Sequence, residues 1–189
     1  GKSTLVNAMV GMKVSITGPK AQTTRNKILG ILTEDNAQIV FVDTPGMLKP
    51  TNKLGNFMKK SIDKALVGND LILIVLDGEN IKQADYDLIA QYENSEVPVF
   101  VVINKTDVAT FEKVYPKLSK LNEFKFIKEF VSVSARTGKN LDELKSKIKN
   151  YLPFGEFMFD EGEVTDKSVK FISAEIVREK ALLYLQQEI

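Results

Sequence analysis

Short apolar runs rich in β-branched residues alternate along this chain with segments of helical periodicity, and this alternation restricts the fold more than any other feature. Such a pattern is typical of βα units around a largely parallel sheet. Only Glu34–Asn36 separate the first two runs, so those two must form an antiparallel hairpin. The sequence therefore predicts an α/β fold with a mixed, mostly parallel sheet flanked by helices. The predicted strands are Lys27–Thr33, Gln38–Val42, Leu71–Leu76, Val99–Ile103 and Phe130–Val133.

Apolar residues at helical spacing predict the helices between and after these strands. Asn140 is the expected cap of one helix, with Asp142 and Glu143 in its first turn, where the helix dipole favours carboxylates. We expect a first domain over residues 1–152, a linker over 153–167 and the start of a second domain over 168–189. The apolar stripes lie within Leu54–Leu66, Ile81–Tyr92, Phe111–Leu121 and Leu141–Leu152, and a last helix is expected at about Ser168–Gln187.

The composition excludes several kinds of chemistry. The 189 residues include no Cys and no His, which rules out disulfides, thiolate zinc sites and catalysis by either side chain. Any bound metal must have oxygen ligands, and Mg²⁺ meets that requirement. The 26 basic and 25 acidic residues nearly cancel, so the net charge indicates no particular partner. Without an apolar run of about 20 residues, the sequence predicts a soluble protein of the cytoplasm.

The chain begins with Gly1-Lys2-Ser3-Thr4, the last four residues of the phosphate-loop pattern G-x-x-x-x-G-K-[ST]. At the start of a helix, free backbone N–H groups and the helix dipole would bind phosphate. Lys2 would reach the β- and γ-phosphates, and the Ser3 hydroxyl would ligate Mg²⁺. The short pattern occurs by chance in about one chain in ten, so a lysine on a solvated first turn is the alternative.

A second motif, Asp43-Thr44-Pro45-Gly46, follows a predicted strand, at the sheet edge where α/β proteins bind ligands. Asp43 can hold Mg²⁺, through a coordinated water, and the Gly46 N–H can donate to a γ-phosphate. The alternative is an ordinary turn. In the polar stretch Met12–Asn26, a threonine could complete the Mg²⁺ shell only when a triphosphate is bound; we favour Thr24 over Thr23.

A third motif, Asn104-Lys105-Thr106-Asp107, follows another buried strand and is the most discriminating signal in the chain. Asp107 can accept from guanine N1–H and the 2-amino group, Asn104 can support the other edge of the base, and the Lys105 stem can cover the ring. Adenine lacks the 2-amino donor, so it would be rejected. Ser134-Ala135 after the last strand is weaker; the Ala135 N–H would donate to guanine O6, and a simple turn is the alternative.

These motifs, in this order, resemble the translation-factor-related class of GTPases and, within it, the Era family. Lys20–Arg25 and Asp43–Gly46 resemble its two switch segments, and Asn104–Asp107 with Ser134-Ala135 its guanine-reading motifs. Ala174–Lys180 is similar to the opening helix of the family's RNA-binding KH domain.

The resemblance implies a Ras-like P-loop fold and slow, Mg²⁺-dependent hydrolysis of GTP to GDP and phosphate, with Lys2, Thr24 and Gly46 at the reacting phosphate. It also implies binding of 16S ribosomal RNA during assembly of the small ribosomal subunit, a monomer, and peripheral association with the inner face of the membrane. The alternatives are the GTPase domain of a tRNA-modifying enzyme or of a membrane transporter.

Compared with the family pattern, we expect the first strand and half of the phosphate loop to precede Gly1, and the KH Gly-x-x-Gly loop to follow Ile189. The chain would then be an internal fragment. Met47 occupies the position where Ras-type enzymes carry a water-orienting Gln, and its side chain cannot orient water by hydrogen bonding. Some relatives bind K⁺ through a phosphate-loop Asn, a position upstream of Gly1.

Overall fold

A computed structural model describes residues 1–18, 23–24, 26–46, 68–109 and 117–184. The stripe Leu54–Leu66, Met47, Lys20–Gln22, Arg25 and most of the stripe Phe111–Leu121 lie outside the described residues, as do residues 185–189. In chain order the elements are α1 (Lys2–Val10), β1 (Ile28–Glu34), β2 (Ala37–Asp43), β3 (Ile72–Asp77), α2 (Gln83–Ala90), β4 (Val99–Asn104), β5 (Ile127–Ser132), α3 (Leu141–Lys149) and α4 (Val169–Tyr184).

The chain divides into two compact units. The hairpin unit comprises Lys2–Gly68 and Gly155–Ile189, and the parallel-sheet unit comprises Gly1 and Asn69–Phe154. The described strands accordingly form two sheets, one with the order β1-β2 and one with the order β3-β4-β5. The predicted antiparallel hairpin and the predicted parallel strands are both confirmed, but they belong to separate hydrogen-bonded sheets.

In the hairpin unit, β1 and β2 pair antiparallel from Ile28 opposite Asp43 to Glu34 opposite Ala37. Burial alternates along β2, so Asp43 faces the same side as the buried Ile39 and Phe41. The strand pattern therefore turns a carboxylate inward at the carboxyl end of β2, where the sequence placed the Asp43 motif.

Helix α1 packs against β1 at Gly30. A Cβ on Gly30 would lie 2.6 Å from Val6 Cγ1, 3.1 Å from Val10 Cγ2 and 3.4 Å from Val14 Cγ2. Real Cβ atoms do not approach that closely, so this contact requires glycine. The missing side chain lets α1 lie directly on the backbone of β1.

The predicted linker does not run free of the hairpin unit. The Ile31 N–H donates to the Val164 carbonyl at 2.9 Å, and the Leu29 N–H donates to Asp166 Oδ1 at 3.0 Å. Gln38 donates to the Phe159 carbonyl and accepts from the Phe159 N–H. The first two bonds satisfy N–H groups on the edge of β1 that faces away from β2, and the two Gln38 bonds hold Phe159 to β2, so residues 159–166 border the hairpin. The domain boundaries at 152 and 168 stay a prediction.

In the parallel-sheet unit, β4 is the central strand and all six of its residues are buried. A run of apolar residues buried on both faces is what parallel strands require. On one face, Val101 and Ile103 join a core with Ile89 of α2. Elsewhere Phe100 meets the Tyr151 ring edge-on at 5.0 Å between centroids.

Strand β5 begins at Ile127, three residues before the predicted start at Phe130. The predicted start is too late because Lys128 and Glu129 interrupt the apolar run. Glu129 is tolerated within the strand because Lys147 of α3 donates to its Oε2 at 2.5 Å.

Asn140 lies at the N-cap of α3, as predicted, but it does not cap the helix with its side chain. Its backbone is left-handed, with φ of 60°, and its amide Nδ2 donates to the Ser132 carbonyl at 2.8 Å. The side chain thus ties the end of β5 to the start of α3. Among the described residues, no helix combines the length and apolar character that a bilayer crossing needs.

Candidate functional site

The hairpin unit brings together Ser3, Thr24 and Asp43, the three residues predicted to hold Mg²⁺. Ser3 opens α1, Asp43 ends β2, and Thr24 lies just before β1. The Ser3 and Thr24 hydroxyls are 2.8 Å apart, and Thr24 Oγ1 donates to Asp43 Oδ2 at 3.4 Å. Thr24 is 6% exposed and Asp43 is 2% exposed. Three oxygen-bearing side chains from distant positions therefore meet, with Ser3 half-buried and the other two buried, and we call them the hydroxyl–carboxylate group.

One oxygen of this group has an unused hydrogen-bonding capacity. Asp43 Oδ1 is buried and has no hydrogen-bond partner within the described part of the chain. A buried carboxylate oxygen left unpaired is costly, and a cation would remove that cost. One carboxylate and two hydroxyls are hard oxygen donors of the kind Mg²⁺ takes while keeping several waters. The residues present therefore fit a magnesium ion, with Asp43, Ser3 and Thr24 as its protein ligands or its water-holding partners.

Lys2 and Gly46 stand beside the hydroxyl–carboxylate group in the same unit. The Lys2 ammonium lies 3.6 Å from the point that a Cβ on Gly46 would occupy. Burial lowers the pKa of Lys2, and the nearby Asp43 charge only partly offsets that effect. A partly buried ammonium close to the first turn of α1, which contains no acidic residue, favours binding of an anion such as phosphate. Thr4 lies within the same turn.

In the parallel-sheet unit, Asn104 ends β4 and organises its surroundings. Its Oδ1 accepts from the Lys105 N–H at 2.7 Å and from the Ala135 N–H at 3.0 Å, and its Nδ2 donates to the Gly1 carbonyl at 3.3 Å. Asn104 is 3% exposed. The Ala135 N–H, expected to face guanine O6, thus donates to Asn104 in this structure. A single buried amide holds the two predicted base-reading loops together.

Asp107 is bound by Ser134 across the same two loops. Ser134 Oγ donates to Asp107 Oδ1 at 2.7 Å and accepts from the Thr137 N–H at 3.2 Å. The Ser134 hydroxyl is the main cause of a lowered pKa at Asp107; burial opposes it, while a backbone hydrogen bond and the charges of Arg136 and Lys105 lower the pKa further. Asp107 therefore stays ionised, the state that can accept two hydrogen bonds from a purine edge. We call Asn104, Asp107, Ser134 and Ala135 the base-reading group.

The structure adds Asp77 and Gly78 to this neighbourhood, which the sequence analysis missed. Asp77 Oδ2 accepts from Lys105 Nζ at 2.5 Å, and the Gly78 N–H donates to the Asn104 carbonyl at 2.8 Å. A Cβ on Gly78 would lie 2.9 Å from that carbonyl, so the contact needs glycine. The signal was available: Asp77 ends β3 and Gly78 follows it, at the same sheet edge as Asn104.

Asn7 was also missed. Its Oδ1 accepts from the N–H groups of Val14 and Ser15, at 3.0 and 2.9 Å, and its Nδ2 donates to the Ser15 carbonyl at 2.7 Å. The amide fastens the segment after α1 to the helix itself. Of the two candidate threonines, Thr24 places its side chain in the hydroxyl–carboxylate group, while the Thr23 carbonyl accepts from Arg178 at 2.7 Å.

Comparison with known proteins gives consistent matches. GTPase Era of Clostridium botulinum is 45% identical over 190 aligned residues, covering 100% of this chain and 64% of that protein. A crystal structure of Era with MgGDPNP and nucleotides 1506–1542 of 16S ribosomal RNA superposes with a TM-score of 0.92 at 40% identity, covering 100% of this chain and 65% of that one.

A second crystal structure, of an Aquifex aeolicus Era variant with GDP and AlF4⁻, gives a TM-score of 0.88 at 40% identity, covering 97% of this chain and 63% of that one. The chain thus spans slightly less than two thirds of the length of these relatives. A sequence profile of the family described as "50S ribosome-binding GTPase" matches residues 1–105. With more than half of its length matched by that profile, and with a Ras-like P-loop GTPase fold, the chain belongs to this GTPase family.

Proposed function

We propose that the chain binds GTP and hydrolyses it to GDP and phosphate with Mg²⁺, acting as a nucleotide-dependent switch. The observation that carries this proposal is the base-reading group. The Ser134 hydroxyl binds Asp107 and favours its ionised, accepting form, while the buried Asn104 amide binds the Ala135 N–H of the neighbouring loop. Guanine offers the two donors that such a carboxylate binds. An adenine nucleotide would leave Asp107 without those donors, so the site would discriminate strongly.

For the phosphates, we assign the first turn of α1, Lys2 and Gly46. The N–H groups of Gly1–Thr4 would bind phosphate oxygens, Lys2 would neutralise charge on the β- and γ-phosphates, and the Gly46 N–H would orient the γ-phosphate. Ser3, Thr24 and Asp43 would hold magnesium, which would supply neutralisation of phosphate charge. Met47 has no donor to orient water, which supports a slow intrinsic rate. Measuring phosphate release with and without K⁺ would test potassium dependence.

For the partner, we propose 16S ribosomal RNA and a cytoplasmic role in assembly of the small ribosomal subunit. Support comes from the similarity to Era, which is known in complex with a 16S segment. We further propose that residues 1–152 form the GTPase domain and that α4 opens a KH domain, with 153–167 as the packed connection between them. The whole-chain similarity to Era favours this function over a tRNA-modifying enzyme or a transporter.

The decisive experiment measures nucleotide binding and phosphate release by the intact protein. We expect guanine nucleotides to compete for the site and ATP not to compete, and phosphate release to require Mg²⁺. Asp43→Asn should lower phosphate release by about a hundredfold, because it removes the carboxylate of the hydroxyl–carboxylate group. Asp35→Asn, an exposed carboxylate in the turn of the same hairpin, is the matched control and should leave release unchanged.

Equal binding of ATP and GTP would overturn the guanine assignment, and phosphate release unaffected by Asp43→Asn would overturn the metal assignment. For the partner, binding of the 16S segment that Era holds should exceed binding of a tRNA of similar length at the same salt concentration. Preference for the tRNA would favour the tRNA-modifying alternative.

A further inference from the structure

Helix α4 directs two largely buried charged residues, Arg178 and Glu179, at the segment that leads to Thr24. Within α4, all of which the structure describes, Glu179 is the most buried residue, at 5% exposed. The adjacent Arg178 side chain is 18% exposed. Charged side chains are rarely buried on a helix unless they have specific partners, so their contacts identify what the helix holds.

Glu179 holds the first part of the segment. One carboxylate oxygen forms an ion pair with Lys13, and the other accepts from Thr17 Oγ1 at 3.2 Å. Burial raises the pKa of Glu179, but the hydrogen bonds and charge of Lys13 and the Thr17 hydroxyl together bring it below its usual value. Glu179 is thus a charged anchor for the residues that follow α1.

Arg178 holds the end of the segment. Its Nη2 donates to the Thr23 carbonyl at 2.7 Å, and Nη2 and Nε bind the two Glu175 oxygens at 2.7 and 2.9 Å. The fork on Glu175 orients the guanidinium, so the second N–H of Nη2 is aimed at one backbone carbonyl. On its other side Thr23 is close to Gly18, where a Cβ would lie 2.8 Å from Thr23 Oγ1.

We propose that Arg178, oriented by Glu175, is a positioning residue for Thr24: by binding the Thr23 carbonyl it fixes the peptide that carries Thr24 into the hydroxyl–carboxylate group. This inference rests on the proposed function, because it gives Thr24 its role toward Mg²⁺ and the γ-phosphate. The Thr23 carbonyl and the Thr24 nitrogen share one planar peptide, so holding the carbonyl restricts the direction in which the Thr24 side chain leaves the backbone.

The same contact works in both directions. If binding of GTP draws Thr24 toward the metal, it also strengthens the Arg178 contact, and any event that moves α4 weakens the hold on Thr24. Thermodynamic linkage requires the two effects to be equal in free energy. Helix α4 is therefore the element through which the C-terminal part of the chain senses a triphosphate.

The test compares the affinities of the intact protein for GDP and for a non-hydrolysable GTP analogue, together with the Mg²⁺ concentration at half-saturation. Arg178→Ala should weaken the analogue by about tenfold and GDP by less than about twofold, because Thr24 acts only when a γ-phosphate is present. Arg178→Lys should give an intermediate loss. Lys180→Ala, an exposed cation on the same helix, is the control and should change neither affinity.

Arg178→Ala also leaves the Glu175 carboxylate without its partner, so the double variant Glu175→Ala/Arg178→Ala separates lost positioning from a destabilised fold. It should show the same selective loss of the analogue, with unfolding midpoint restored toward the wild type. In a Thr24→Ala background, Arg178→Ala should add no further change in the ratio of analogue to GDP affinity.

An equal loss of GDP and analogue, or a full additional loss in the Thr24→Ala background, would overturn the positioning role. Those outcomes differ from failure of the proposed function itself, in which the wild-type protein would bind no guanine nucleotide at all.

Discussion

The base-reading group and the hydroxyl–carboxylate group differ in how many of their hydrogen-bonding and charged atoms have partners within the protein. In the parallel-sheet unit, Asn104 uses both ends of its amide, and Asp107 already accepts from Ser134. In the hairpin unit, Asp43 keeps a buried oxygen without a partner among the described residues, and Lys2 is a partly desolvated ammonium.

This difference teaches how the two halves of a nucleotide would be recognised. Groups that are already paired are held in fixed positions, so base selectivity is preorganised and costs little reorganisation on binding. Buried charged groups whose charge is not fully compensated gain most from a bound ligand, so the hairpin unit should be the part that Mg²⁺ and phosphate stabilise. Under the proposed function, selectivity would depend on the base-reading group and the response to ligand on the hydroxyl–carboxylate group.

The largest expected effect comes from changing Asp107 in the base-reading group. Asp107→Asn should weaken GTP binding by on the order of a hundredfold and favour xanthosine triphosphate, whose 2-oxo group accepts where the guanine 2-amino group donates. Competition binding with both nucleotides measures the change. Asp142→Asn, at an exposed carboxylate of the same unit, is the control. Unchanged GTP affinity in Asp107→Asn would remove this residue from the base-reading group.

The second largest expected effect comes from a change in the packing of the hairpin unit. Gly30→Ala should lower the free energy of unfolding by about 2 kcal/mol, because the new Cβ meets Val6 and Val10. Thermal or denaturant unfolding measures the loss. Gly155→Ala places its Cβ in open space within the same unit and should change stability little. A wild-type midpoint for Gly30→Ala would show that α1 shifts freely on β1.

A smaller effect concerns the buried carboxylate of α4. Glu179→Gln should cost about 1 kcal/mol at neutral pH, since it removes the ion pair with the half-exposed Lys13 but can still accept from Thr17. Because folding lowers the pKa of Glu179, its contribution is present above the unfolded-state pKa and is lost as pH falls through the folded-state pKa. The two unfolding curves should therefore converge in acid.

Denaturant unfolding at several pH values checks this, with Glu161→Gln as an exposed control in the same unit. A difference between Glu179→Gln and wild type that grows as pH falls would contradict the stated direction.

The smallest expected effect comes from removing the Ser134 hydroxyl. Ser134→Ala should weaken GTP binding about threefold at neutral pH, as expected for one lost hydrogen bond. Without the Ser134 hydroxyl the pKa of Asp107 rises, so guanine binding should begin to fail at a higher pH than in the wild type. Affinity measured from neutral to acidic pH reports the shift. Ser146→Ala, on the exposed face of α3, should reproduce the wild-type profile.

Strands and strand-end motifs were predictable because they depend on local patterns. Unbroken apolar runs located β3 and β4, and the rule that parallel strands share a carboxyl edge placed Asn104 with Ser134. The start of β5 was wrong because a charged residue inside a strand is satisfied by a partner from another element, which no periodicity reveals.

The contacts of the C-terminal segment were not predictable in the same way. Arg178 and Thr23 are 155 residues apart in sequence, and Glu179 and Lys13 are 166 apart. The helical pattern in the sequence predicts which face of α4 packs against the protein, but it does not predict which segment contacts that face. For the same reason the loop-like composition of residues 153–167 predicts a linker but does not predict that the Val164 carbonyl and the Asp166 carboxylate accept hydrogen bonds from the edge of β1.

Gly30 has a consequence that extends to the metal ligands. Ser3 belongs to α1, whereas Asp43 belongs to β2 and pairs through Ile28 with the strand on which α1 rests. The depth at which the helix sits on the hairpin thus fixes the gap that a cation must bridge. A natural relative with a bulkier residue at position 30 should carry smaller residues at positions 6 and 10, so that this gap keeps its width.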